Sequence, residues 1–253
     1  MIDTHCHVHD RKFDGDRDEV VARARSAGVR AMLTVGEDLI DSALAIETAE
    51  RYGLAVAAGI HPHEAKNAPA DVAAGLLPLL SGARVAAIGE IGLDYYYDNS
   101  PRDAQKRVFR AQLRVARDTG FPVVFHQRDA FADFTTILRE EWAPGMCGVV
   151  HCFTGTADEA HTCTDEFGLF LGIGGVVTFP NAEPLREAVR SVGIGRIVLE
   201  TDCPYLAPVP MRGKRNEPAF VAYTAARVAG VLALPENEVV AQTDRNAEAL
   251  FKL

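Results

Sequence analysis

Short apolar, β-branched runs alternate along this chain with stretches whose apolar residues recur every three or four positions. The runs predict strands near 1–5, 30–35, 54–60, 84–90, 122–126, 147–152, 168–173 and 196–201. The periodic stretches predict helices near 16–27, 39–52, 69–80, 101–119, 130–141, 157–166, 182–192 and 217–233, followed by a helical tail over 235–250. Gly28, Gly53 and Gly120 stand between a helical stretch and the next strand, where a left-handed residue stops a helix. The helix after Ser100 is the best defined: Ser100 suits its cap, Pro101 its first turn, and Phe109, Leu113 and Ala116 share one face. Eight strands alternating with helices predict an α/β protein with a parallel sheet, a (β/α)₈ TIM barrel. The 253 residues match the size of one such barrel, so a single domain over 1–253 is expected. There is no internal repeat, low-complexity tract or interdomain linker.

Histidines and acids fall just past several of these strands, the end of a barrel where sites are built. Strand 1 ends in Asp3-Thr4-His5-Cys6-His7, and alternation places Asp3, His5 and His7 on one face. Strand 4 ends in Glu90, with glycines at 89 and 92; a carboxylate there suits bridging two cations. Strands 5 and 6 end in His126 and His151. One histidine after an apolar run is more often a hydrogen-bonded core residue than a ligand, but two at equivalent positions of successive strands reverse those odds. Strand 8 ends in Asp202, with Glu200 two residues lower. Because a buried carboxylate is costly unless bonded, Glu200 and Asp3 are expected to support and orient the histidine ligands, a plain structural ion pair being the competing reading. Asp94 fits a turn as well as a site, and Asp129 fits a helix cap.

Two further groups suit a substrate. His61 and His63, in GIHPH after strand 3, could be ligands, but contacts to an anionic substrate are preferred. Arg212, Lys214 and Arg215 surround a glycine after strand 8, and that cationic loop could hold phosphate or simply be solvated surface.

An apolar fraction of 48% supports a well-buried core. The net charge of −9 argues against permanent attachment to nucleic acid, though not against transient action on it. Five cysteines without regular spacing argue against a disulfide framework. On the strand period Cys6 and Cys152 point away from the histidines, as packing residues. No secretory leader and no run of about 20 apolar residues is present, so a cytoplasmic protein with no membrane attachment and no stable protein partner is expected.

Mixed imidazole and carboxylate donors suit Zn, Mn or Mg with positions open to water. Two such ions about 4 Å apart activate a water and stabilise both oxygens of a displacement at phosphorus. In that chemistry Asp202 is the expected general base and Glu90 the bridging carboxylate. No Ser/His/Asp triad spacing, Walker loop or dinucleotide fingerprint appears, so hydrolysis is the expected reaction class.

In order along the chain, DTHCH, GIHPH, GEIGLDYY, FHQRDA, HCFTG, ETDCPYL and RGKRNEP make it resemble the TatD-like metal-dependent DNases of the amidohydrolase superfamily. The resemblance implies a (β/α)₈ barrel, a centre of two divalent ions, and hydrolysis of DNA phosphodiesters as a 3′→5′ exonuclease or at abasic sites. It implies metal-ligand roles for His5, His7, Glu90, His126, His151 and Asp202, and substrate roles for His61, His63 and, more weakly, Arg128. The alternative is a superfamily amidohydrolase cleaving a small-molecule amide, lactone or phosphoester. Many such barrels bridge their metals with a carboxylated lysine on strand 4; this chain has five lysines and none ends a strand.

Overall fold

A computed structural model describes residues Met1–Leu253. Its strands are β1 (Ile2–Cys6), β2 (Ala31–Val35), β3 (Ala55–Ala58), β4 (Val85–Asp94), β5 (Val123–Arg128), β6 (Gly148–Val150), β7 (Phe170–Ile173) and β8 (Ile197–Leu199). Its helices are α1 (Arg17–Ser26), α2 (Leu39–Tyr52), α3 (Val72–Leu80), α4 (Arg102–Thr119), α5 (Phe131–Glu141), α6 (Ala157–His161), α7 (Glu183–Val192), α8 (Val221–Leu232) and α9 (Glu236–Phe251). The strands form one sheet in chain order, and Cys6 pairs in parallel with Cys203 just past β8. That order, with a helix after each strand, is the (β/α)₈ topology the sequence predicts. No single helix is long and apolar enough to cross a membrane.

The chain packs as two compact units, Met1–Thr34 with Cys152–Leu253, and Val35–His151. In the first unit, Ile2 and Cys6 of β1 pair with Ala31 and Thr34, and β7 pairs with β8 from Leu171↔Ile197 to Ile173↔Leu199. The tail helix α9 is laced to this unit. Asn246 donates to the carbonyls of Ile194 (2.9 Å) and Ile197 (2.7 Å), and Asp244 accepts from the Ile2 amide (2.8 Å).

In the second unit β4 pairs with both β3 and β5, and β5 with β6. Helices α4 and α5 cover β5 through three buried rings. Phe109 stacks on Phe134 at 5.7 Å, and Phe125 meets Phe134 edge-on at 5.3 Å. Each ring buried this way contributes roughly 1.5–3 kcal/mol.

The structure departs from the expected elements where polar side chains take over the backbone. β4 runs on to Asp94 because Gly92, Leu93 and Asp94 continue to pair with His126, Gln127 and Arg128. Ser100 does not cap α4: its hydroxyl donates to the His63 carbonyl (2.6 Å) and accepts from the Lys66 amide (3.1 Å), leaving Pro101 as the cap residue. Asp129 does not cap α5 either. With its amide oxygen turned toward the helix, Gln127 accepts from the amides of Phe131 (2.8 Å) and Ala130 (3.2 Å). α6 closes at His161 into one π-turn, Thr162–Glu166. Gly53 and Gly120 do end α2 and α4 in the left-handed conformation.

Candidate metal centre

In the first unit, β1 carries His5 and the chain just beyond it carries His7; both rings are buried. Their Nε2 atoms face each other at 3.3 Å. Asp202 brings Oδ1 to 3.5 Å from His7 Nε2 and 3.9 Å from His5 Nε2. Asp202 lies past β8 with φ +58°, a left-handed conformation that an aspartate tolerates better than most residues and that turns the chain sharply. Its amide donates to the His5 carbonyl at 2.8 Å, so the two segments are tied by their backbones.

The supporting carboxylates act on backbone. Asp3 Oδ1 accepts from the amides of Thr201 (2.9 Å) and His5 (3.3 Å), and Oδ2 accepts from the Thr201 hydroxyl (2.6 Å). Burial pushes the Asp3 carboxyl up to about 8, against the opposing pull of its bonds from Thr201. Glu200 Oε1 accepts from the Cys152 amide at 2.6 Å. Asn216, inside RGKRNEP, is buried and donates to the carbonyls of Thr201 (2.7 Å) and Tyr205 (2.6 Å). Cys6 is a buried packing residue whose thiol donates to the Leu33 carbonyl at 3.3 Å; burial pushes that thiol well up.

In the second unit the convergence point is Glu90 Oε1. It lies 2.7 Å from His126 Nδ1 and 3.9 Å from the Nε2 atoms of both His61 and His151. β4 and β5 deliver Glu90 and His126 by running unusually close. Gly92 sits at φ +148°, and a Cβ there would lie 1.9 Å from the His126 carbonyl oxygen. Gly92, two residues past Glu90, is therefore demanded by close approach as well as by conformation.

Asp94, fully buried, resolves its two readings by serving both. Oδ1 accepts from the amides of Tyr96 (2.9 Å) and Tyr97 (2.8 Å), which is the turn. Oδ2 meets His63 Nε2 (2.8 Å) and His126 Nε2 (3.0 Å), which is the site. Burial opposes charge on both partners. The bonds from His126 and His63 nevertheless hold Asp94 well below the usual carboxylate range. Burial likewise disfavours a charged His126, but Glu90 and Asp94 outweigh it and raise that imidazole to about 9. Burial, with His126 adding to it, keeps His61 well below the usual histidine range.

Two buried glutamines of α4 hold this loop system. Gln105 accepts from the Asp94 amide (2.8 Å) and donates to the Asp94 carbonyl (3.0 Å), and Gln112 does the same for Ile60 at 2.8 and 3.0 Å. Sequence reasoning missed both. Their signal was present: Gln105 and Gln112 fall at helical spacing on the apolar face of Phe109 and Ala116, where a polar residue must be satisfied.

The donor sets fit divalent metal. Two imidazole nitrogens facing at 3.3 Å keep the spacing of two ligands each about 2.0–2.1 Å from one ion, and a carboxylate oxygen completes the group. The set formed by His61, Glu90 and His126 also gathers one ligand atom from each residue within 4.8 Å of the others. His61 thus stands among candidate ligands rather than only among substrate contacts, and it caps the following turn by accepting from the His63 amide at 3.1 Å.

Of the cations expected to meet substrate, Arg215 donates to Asp16 (2.6 Å) and to the Lys12 carbonyl (2.6 Å). Arg212 lies over the Phe179 ring at 4.1 Å, and Lys214 is exposed. Arg128 lies over the Tyr96 ring at 4.3 Å.

A family model described as TatD related DNase matches residues 2–252 of this chain. The uncharacterized metal-dependent hydrolase YabD of Bacillus subtilis is 41% identical, over 100% of this chain and 99% of its own. The 3′-5′ ssDNA/RNA exonuclease TatD of Edwardsiella piscicida is 39% identical over 100% of both. Among solved structures, the TatD homologue YJJV of Escherichia coli superposes with a TM-score of 0.93 at 29% identity, covering 100% of this chain and 98% of its own.

Proposed function

The chain belongs to the TatD-related DNase family, and from that premise we propose that it is a divalent-metal-dependent hydrolase that cuts DNA phosphodiester bonds as a 3′→5′ exonuclease on single strands. The observation that carries the reading is the gathering of imidazole nitrogens and carboxylate oxygens 3.3–3.9 Å apart: His5, His7 and Asp202 in one unit, and Glu90 with His61 and His151 in the other. The relatives whose names specify a 3′-5′ exonuclease favour that mode over cleavage at abasic sites.

His5, His7, Glu90, His126, His151 and Asp202 are the residues that would hold two ions drawn from Mg, Mn and Zn. Bound ions supply Lewis-acid polarisation of the phosphoryl group and lower the pKa of water. Asp202, at the edge of the buried set with its side chain 15% exposed, would act as the general base toward the attacking water. Asp94 fixes the ring plane of His126, and Asp3 fixes the backbone on either side of the His5–Asp202 contact.

End-labelled single- and double-stranded DNA, incubated with Mg, Mn, Zn or EDTA, tests this. We expect laddering from the 3′ end with at least one metal, none in EDTA, and a loss of more than about 100-fold in Glu90→Ala. DNA left intact across all three metals overturns the phosphodiesterase reading. Hydrolysis unchanged in the variant overturns the role of Glu90.

A further inference from the structure

β4 leads directly into three tyrosines that behave in two ways. Tyr95 is partly buried: its hydroxyl donates to Asp133 (2.7 Å) and Arg102 lies over its ring at 4.2 Å. Tyr96 and Tyr97 instead stand in solvent, 56% and 58% exposed. They are not loosely held. Both amides are bound by Asp94 Oδ1, and the two rings meet at 4.8 Å and 88°. The guanidinium of Arg128 lies over both, 4.3 Å from Tyr96 and 5.6 Å from Tyr97. Two large rings kept in water by a fixed backbone form a surface prepared for an aromatic partner.

Their position indicates which partner. Tyr97 packs edge-on against His63 at 5.5 Å. His63 shares Asp94 Oδ2 with His126, the imidazole that contacts Glu90. One buried carboxylate thus sets both the stance of the exposed rings and the plane of a proposed metal ligand, within a single turn of chain.

We propose that Tyr96 and Tyr97, clamped by Arg128, form the stacking platform for an unpaired base of the nucleic-acid strand being cut. This rests on the phosphodiesterase reading above and adds the part of the substrate that is gripped. Every base has a π face, so such a platform accepts any sequence and requires only that the base be unpaired. Arg128 stacks on its ring by cation–π attraction while keeping N–H groups to offer a neighbouring phosphate. Stacking also supplies affinity on a chain whose net charge of −9 repels a polyanion at long range.

The test compares the double variant Tyr96→Leu/Tyr97→Leu with Tyr96→Phe/Tyr97→Phe, which keeps the rings. The substrates are a 5′-labelled single strand with ordinary 3′-terminal nucleotides and its counterpart with abasic residues there. We expect the leucine variant to raise KM for the ordinary strand about 5- to 150-fold, the effect of one lost stack, with kcat little changed. The phenylalanine variant stays near wild type, and the KM ratio between abasic and ordinary strands falls toward one in the leucine variant. An unchanged KM in the leucine variant overturns the platform, as does an equal KM rise on both strands. Wild-type turnover tests the phosphodiesterase reading separately. Binding of a fluorescent (dT)8 in EDTA, followed by anisotropy, tests the platform without hydrolysis: equal affinity in wild type and leucine variant overturns it.

Discussion

At the residue scale, what a side chain does here depends on how many demands its backbone already meets. His5, His7, Glu90, His126, His151 and Asp202 stood out in the sequence as candidates because each follows an apolar run, where a polar group is easy to notice. Asp94 was not decidable, since a carboxylate that binds two turn amides and two imidazoles satisfies both readings. The structural partner of Arg215 could not be read for a different reason: Asp16 lies 199 residues away in sequence. Gly92 is the residue with the least freedom. At φ +148°, with a Cβ falling 1.9 Å from the His126 carbonyl oxygen, alanine cannot enter without driving β4 and β5 apart. Gly92→Ala should therefore destabilise by about 3 kcal/mol or more, measured from denaturant midpoints. It should also lower nuclease activity in the folded fraction, because Glu90 and His126 sit on the two displaced strands. A variant as stable as wild type would show that β4 and β5 can separate at no cost.

At the element scale, hydrophobic period carried the fold: the strands and helices begin and end within a few residues of the positions it predicts, because apolar alternation and helical spacing are local signals. What it left unread were the ends, where side chains replace backbone partners, as the nearby Gln127 does for α5 and the distant Ser100 for the turn after β3. The seam between α4 and α5 shows such a distant pairing with a titratable partner. Glu141, its side chain 9% exposed, is bound by Arg114 at 2.6 Å, with Arg110 at 3.7 Å and Arg117 at 4.0 Å. The hydrogen bond from Arg114, followed by the attraction of the three guanidiniums, holds the Glu141 carboxyl below its usual value of 4.5. A depressed carboxylate stabilises the fold above its unfolded pKa and loses that contribution as pH falls through the folded one. Arg114 is 56% exposed, so solvent screens the pair and its contribution is small. Glu141→Gln should thus be slightly less stable than wild type at pH 7, with the gap closing as pH falls below 4.5 and through the lowered folded value. Urea titrations of both proteins across that range measure it, and a gap that stays constant with pH would assign the effect to packing alone.

At the scale of the whole molecule, the discordant quantity is charge: 35 acidic side chains against 26 lysines and arginines, on a chain whose proposed substrate is a polyanion. A net charge of −9 repels such a substrate at long range, and salt screens that repulsion. Several cations are also already engaged within the fold: Arg215 with Asp16, Arg23 with Glu217, Arg30 with Asp244 and Glu248. That leaves Arg128, Arg212 and Lys214 as the side chains proposed to meet phosphate. Single-stranded binding loses affinity with salt at a logarithmic slope of about −0.7 per neutralised phosphate. Three contacts then limit the slope of log(kcat/KM) against log[KCl] to about −2, at saturating divalent metal so that ion occupancy stays constant. A slope near −4 or steeper would require roughly six neutralised phosphates, about twice the contacts proposed. A shallow slope would instead place the remaining affinity in contacts that salt does not weaken, which are the metal–phosphate contacts and the stacked base.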